Sequence, residues 1–471
     1  MPSIGEEFEG AELGDKRRTQ RLQRVAERIA DGPDRSVPKA TGSDAELEGC
    51  YRFLNNEQVT PAAILSPHQR RTVERCEAHR EVLVVHDTTS LRFPNEDTRQ
   101  GLGPLLSKHG VRGFYAHTAL ALALGEVRDP LGVLGVHTYN RSFEATTSNT
   151  AKRITDPKNE YHRFAHLIDQ SEKLLAGHAS AIHVIDREAD VYELFARLVA
   201  CNYRFVIRLS DDRATPEQIE GTKSHIKLSH IVRTLEGVTE REVPLSRRAK
   251  GAMPSTRKIH PAREGRIAKL SFRATNVEIR RPENLPKELA KSIALRLVHV
   301  VEVDAPEGQP PVEWQLLTTE PIDTADDILR VVDIYRARWT IEELFKALKT
   351  GCQFEKRQFR SYDALCRLLA IMLPVAWRLL RIRAASRMTP ERLASDLLTA
   401  TQLAVLIATS KRVPLPPNPT ADQALRAIAG LGGHLKRNGA PGWITLGRGF
   451  DTLLAYEVGY RAAMQDKCDQ S

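Results

Sequence analysis

Tyr335, Arg338, Glu342 and Lys349 are the residues of this chain best suited by type and spacing to phosphate chemistry. If one α-helix spans them, at about 100° per residue all four fall within an arc of roughly 60°. A phenol, a guanidinium, a carboxylate and an ammonium then share one face. Ile341, Leu344, Phe345 and Leu348 fall on the adjacent face, which is apolar and would dock the helix on a core. A carboxylate flanked by two cations suits a metal-bound phosphodiester, because the metal takes oxygen ligands and the phosphate needs positive charge. The same spacing also fits a solvated helix laced with internal salt bridges.

The text around the four residues narrows this choice. Tyr335-Arg-Ala-Arg338-Trp-Thr-Ile-Glu342-Glu-Leu-Phe-Lys-Ala-Leu-Lys349 resembles the Y-(2)-R-(3)-E-(6)-K signature of cut-and-paste bacterial insertion-sequence transposases, members of the DDE, ribonuclease-H-like superfamily. That resemblance implies two upstream aspartates, each closing an apolar strand. Val82-Leu-Val-Val-His-Asp87 and Ile182-His-Val-Ile-Asp186 supply them. Leu13-Gly-Asp-Lys-Arg-Arg18, Gly49-Cys-Tyr-Arg-Phe53 and Leu431-Gly-Gly433 extend the likeness over nearly the whole chain.

The resemblance implies roles as well. Asp87, Asp186 and Glu342 are expected as catalytic metal ligands for two Mg²⁺ or Mn²⁺ ions, which carboxylates and water suit. Arg338 is expected on the terminal 5′ phosphate, Lys349 on the nearby backbone, Tyr335 on a phosphate or sugar, and Trp314 on a flipped base. His86 alternates away from Asp87 and is not expected to be catalytic. Glu188 and Asp190 are expected to position backbone. The partners implied are double-stranded DNA, both transposon terminal inverted repeats and target, and a second copy of the chain in a homodimer. A nuclease without strand transfer, or a silent DNA-binding relic, stays open as an alternative.

Composition fits this picture. With 471 residues, 41% hydrophobic and 27% charged, the chain reads as an ordinary soluble protein of two to four domains. The longest apolar run, Leu368 to Trp377, is too short to span a bilayer. No secretory signal is read at the start, and six scattered cysteines lack any C-x-x-C pair, so a cytoplasmic protein without membrane partners is expected, and the resemblance implies that it is bacterial and nucleoid-associated. The net charge is +9, and Arg247 to Arg281 alone holds eleven Lys/Arg against two acidic residues. Such a concentration suits a polyanion.

The elements that must position these residues follow from periodicity. Residues 1–75 read as helical; Arg17, Arg21, Arg24 and Arg28 form a basic stripe beside Leu22, Val25, Ala26 and Ile29. That stripe fits DNA contact or plain solvation. Strand patterns at Glu81–His86, Ala116–Leu124 and Pro130–Tyr139 precede a helix from Asn159 to Leu175, the strand into Asp186, a helix from Val191 to Ala200 and a strand at Arg204–Leu209. Residues 211–311 read as an inserted basic β domain, and Val312–Thr319 returns to the core. The expected fold is α/β, a ribonuclease-H-like mixed-sheet catalytic core over 76–210 and 312–365 interrupted by that insert. A helical N-terminal DNA-binding domain and a helical C-terminal dimerisation region over 366–471 flank it. On the final helix, Phe450, Leu453, Leu454 and Val458 fit either core packing or a dimer contact.

Overall fold

The computed structural model describes residues 4–30, 32–33, 35–93, 99–105, 111–125, 127–141, 160–245, 262–309, 311–411, 413–435, 437 and 439–469. Residues 247–261, much of the expected basic segment, and Asn159 lie outside this set. Two compact units divide the described residues, one of 4–141, 160–181 and 339–469, the other of 182–338.

In the first unit, helices α1 (Lys16–Ala30), α2 (Val37–Ala40), α3 (Asp44–Leu54) and α4 (Pro61–Cys76) occupy the expected helical region. Asp15 starts α1, its carboxylate accepting from the Arg17 amide at 2.8 Å. Ser43 and Thr60 cap α3 and α4 in the same way. Leu22, Val25, Ala26 and Ile29 are all buried, as the stripe demanded.

Strands β1 (Glu81–Phe93), β2 (Gly103–Pro104), β3 (Arg112–Ala123) and β4 (Pro130–Tyr139) follow, with β3 antiparallel to the other three. Val82, Val84, Ala119 and Ala121 on one sheet face pack on Val73 and Cys76 of α4 and on Leu167 of α5 (Arg163–Leu175). Strand β1 differs from expectation: it does not end at Asp87. Its register with β3 runs unbroken from Val82–Ala123 to Phe93–Arg112, because Thr88-Thr-Ser-Leu91 carries strand-forming residues with a full partner.

The second unit begins within β5 (Ser180–Ile185), at Ile182, and contains α6 (Tyr192–Ala200) and β6 (Arg204–Arg208), β5 and β6 being parallel. Next come β7 (Ala214–Gln218) and β8 (His225–Lys227), which pair with each other in a two-stranded sheet, and then α7 (Leu228–Thr234). Long antiparallel strands complete the sheet: β9 (Thr239–Leu245), β10 (Arg266–Arg280), β11 (Ser292–Val303) and β12 (Glu313–Thr318). The order is β5-β6-β12-β11-β10-β9, so β9 to β11 extend the sheet that holds β6 and β12. Alternation explains the strand: Ala268, Leu270 and Phe272 are buried, while Ile267 and Lys269 face out.

Helices α8 (Ala325–Ala337) and α9 (Trp339–Lys346) carry the motif. The long α10 (Tyr362–Met388) is buried almost all round and hydrogen-bonds its Trp377 indole to the Pro130 carbonyl at 2.8 Å. Helices α11 (Ala400–Thr409), α12 (Ala421–Leu431) and α13 (Trp443–Asp469) end the first unit. Phe450, Leu453 and Leu454 of α13 are core, whereas Val458 is 43% exposed. Among the described residues no helix is long and apolar enough to cross a membrane.

Candidate active site

The motif does not lie on one continuous helix. Helix α8 ends at Ala337, the Arg338 amide closes a tighter turn on the Tyr335 carbonyl at 3.1 Å, and α9 begins at Trp339. After Lys346 the backbone widens into a π turn, Ala347–Gly351, closed by the Cys352 amide on the Ala347 carbonyl at 2.8 Å. One α-helix through all four residues is therefore not formed, and Lys349 sits within the π turn. Close packing favours that turn: a Cβ at Gly447 of α13 would stand 2.5 Å from the Gly351 carbonyl oxygen. The apolar face is as expected, with Ile341, Leu344, Phe345 and Leu348 all buried.

In the second unit Asp186 follows β5 and is surrounded by donors. Its Oδ1 accepts from the Tyr335 phenol at 3.0 Å and from the Arg187 amide at 2.8 Å. Arg338 Nη2 stands 3.7 Å from Oδ2. Burial pushes the carboxyl up, but the cations Arg338 and Arg208, with the Arg187 and Tyr335 hydrogen bonds, outweigh it and hold the group below the usual range. Tyr335 is pushed up to about 12, by burial first and then by Asp186, so it stays protonated and donates. Trp314 meets the Tyr335 ring edge-on, centroids 5.6 Å apart. Arg208 was missed in the sequence. Its signal was there: β5 and β6 are parallel, Ile185 pairs with Ile207, and the next residues on each are Asp186 and Arg208.

Asp190 does position backbone. It is buried and accepts from the Ser210 and Asp211 amides at 2.7 and 2.8 Å and from Arg213 Nε at 2.6 Å.

In the first unit Asp87 is partly exposed within β1, and Glu342 is partly exposed on α9, which packs on β1. Lys349 has its ammonium pKa lowered by burial and by Arg92, against Glu355 and Asp87, which raise it. Glu355 in turn accepts from the Arg92 amide at 2.9 Å. His86 turns away, as expected, fully buried and stacked on His117 at 5.8 Å.

Three partly exposed carboxylates are the right donor type for a hard divalent cation. Among the described residues, however, no three His, Cys, Asp or Glu side chains are gathered to hold one, and Asp186 is engaged by Tyr335 and Arg338 instead.

Of the basic stripe, Arg17 and Arg24 are exposed, while Arg28 pairs with Glu46 at 3.0 Å. In the described part of the basic segment, cations are largely answered locally. Arg266 pairs with Glu302 at 2.8 Å, Lys269 with Glu240 at 2.6 Å and Arg280 with Glu283 at 2.9 Å.

Residues 3–59 match the family model for transposase DNA-binding, and residues 148–375 match that for the transposase DDE domain. The second match contains Asp186, Tyr335, Arg338, Glu342 and Lys349; Asp87 precedes it. A cryo-EM structure of a piggyBac transposase synaptic complex with hairpin DNA is similar at 10% sequence identity and a TM-score of 0.32, covering 73% of this chain and 55% of that one. This chain thus spans about half the length of that relative. DDE transposase domains generally use divalent metal ions. The chain carries a transposase DNA-binding domain near its start and a transposase DDE domain across its middle.

Proposed function

We propose that this protein catalyses cut-and-paste DNA transposition. The observation that carries the reading is the Asp186–Tyr335–Arg338 cluster inside the DDE-matched span, a carboxylate ordered by a phenol and a guanidinium. Asp87, Asp186 and Glu342 are the proposed catalytic carboxylates and the ligands for two Mg²⁺ or Mn²⁺ ions. Bound divalent ions supply charge stabilisation to the attacking and leaving oxygens of a phosphoryl displacement.

The reaction consists of in-line displacements with successive nucleophiles. Water nicks a transposon end, the freed 3′-OH attacks the opposite strand to give a hairpin, water reopens it, and the 3′-OH attacks target DNA. Arg338 and Lys349 offer fixed positive charge to the phosphates, Tyr335 a protonated phenol, and Trp314 an indole face for an unstacked base. Residues 1–75 grip the transposon ends through base contacts, with Arg17, Arg21, Arg24 and Arg28 as DNA-binding residues, and the basic insert adds phosphate contacts. The remaining division is a catalytic core of 76–210 and 312–365, the insert 211–311 and a dimerisation region 366–471. Tyr456, Tyr460 and Met464 support the last assignment, forming an exposed stripe at i+4 spacing on α13 that a second copy would cover. The setting is the bacterial cytoplasm, at the nucleoid.

The test is cleavage of linear DNA bearing the ends that flank the gene, with and without Mg²⁺, beside Glu342→Ala. Metal-dependent breaks and hairpins at the ends, absent in the variant, are expected. DNA binding without cleavage in both proteins would mean a silent relic, and cleavage without strand transfer a nuclease.

A further inference from the structure

One residue past Glu342, α9 and α10 gather more positive charge than they neutralise. Glu343 accepts from Lys346 Nζ at 2.7 Å. Arg383 Nε and Arg387 Nη1 also face this carboxylate, but at 3.7 and 3.8 Å, beyond hydrogen-bond length. Three cations thus share one carboxylate.

Arg383 is the anchored member. Its guanidinium lies 4.4 Å over the Trp443 ring, and Nη1 donates to the Pro441 carbonyl at 3.0 Å. Its Nε is buried with no hydrogen-bond partner, as is Glu343 Oε2. A buried donor left this way is costly, and an added acceptor relieves it. Burial first, and then Arg387, push the Arg383 pKa down, against Glu343, which raises it. Lys346 and Arg387 are half exposed, at 47% and 52%, so the cluster opens to solvent.

We propose that Lys346, Arg383 and Arg387 seat a backbone phosphate of duplex DNA, with Glu343 holding the cations aligned until DNA arrives. A phosphodiester brings the acceptor oxygens that Arg383 Nε lacks and the charge that Glu343 alone does not balance. The choice of DNA as the polyanion rests on the transposase reading. This contact is separate from Arg338 and Lys349, and it would guide the duplex past Glu342 from the side of α10.

The experiment measures binding of a fluorescent duplex to the full-length protein in chelator, across a range of salt. Lys346→Gln with Arg387→Gln is expected to flatten the plot of log affinity against log salt by about two. Affinity at low salt falls at least several-fold, and Glu343→Gln raises it. An unchanged slope and affinity in a double variant with wild-type thermal unfolding would overturn the proposal. If the double variant fails to fold, Arg387→Gln alone, at an exposed position, gives the same reading with a slope change of about one. Inorganic phosphate serves as the rival ligand. If it raises the unfolding midpoint of the wild type but not of the double variant, while duplex affinity is equal in both, the site takes small anions and the proposal fails. A wild type unable to cleave its ends would sink the transposase reading, yet leave the salt slope to judge this one.

Discussion

The Asp186 end and the Lys349 end of the motif are built by different forces. Asp186 is set by polar contacts: a phenol at 3.0 Å, an amide at 2.8 Å and a guanidinium at 3.7 Å. Lys349 rides on a π turn set by packing, with buried Leu348 inside and Gly351 against Gly447 of α13. Substitutions that keep volume but change charge should therefore damage the first end, and substitutions that keep polarity but add volume the second. An enzyme acting on phosphates gains from this division, because the polar end can be ordered before DNA binds without depending on the C-terminal helices.

Arg338→Gln gives the largest expected effect. It removes the cation beside a carboxylate whose side chain keeps 26% exposure, so the structural cost is about 2 kcal/mol, below the range for a fully buried pair. The functional cost is larger. If Arg338 also clamps a reacting phosphate, cleavage falls about 100- to 1000-fold. Chemical denaturation and end-cleavage rates separate the two costs. Wild-type cleavage in a folded Arg338→Gln protein would remove Arg338 from the chemistry and leave it a structural partner of Asp186.

Gly447→Ala comes next and probes the packed end. The new Cβ would sit 2.5 Å from a backbone oxygen that cannot swing aside, in contrast to a flexible side chain. Overpacking of this kind costs about 1–3 kcal/mol. The first-unit unfolding midpoint should fall, and cleavage should fall with it as the turn carrying Lys349 shifts. Full stability in the variant would mean that α13 yields easily and that the π turn does not depend on it.

These two ends also mark how far the sequence was legible. Apolar periodicity placed Ile341, Leu344, Phe345 and Leu348 in the core, and the run Ile182–Ile185 placed Asp186 directly after a strand. Such patterns are local, and local patterns survive folding. The break at Arg338, the π turn and the continuation of β1 past Asp87 were not legible. Two of these depend on a distant partner: Gly447 for the turn and Arg112–Thr118 for the second half of β1. Arg208 was legible in part: both strands were read, and their parallel pairing, which brings Arg208 near Asp186, was the step missed.

Tyr335→Phe is the mildest test and the most selective. It deletes one hydrogen bond to Asp186 and leaves the ring that Trp314 packs against. A bond to a charged acceptor is worth about 1.5–3 kcal/mol, but the partly exposed Asp186 can take water in exchange, so about 1 kcal/mol is expected. If the phenol only orders Asp186, turnover drops up to about tenfold and DNA affinity is unchanged. If it also touches a phosphate or sugar, duplex affinity weakens in the same variant. The binding measurement in chelator therefore decides whether the polar end is organised for the carboxylate alone or for the DNA it is proposed to cut.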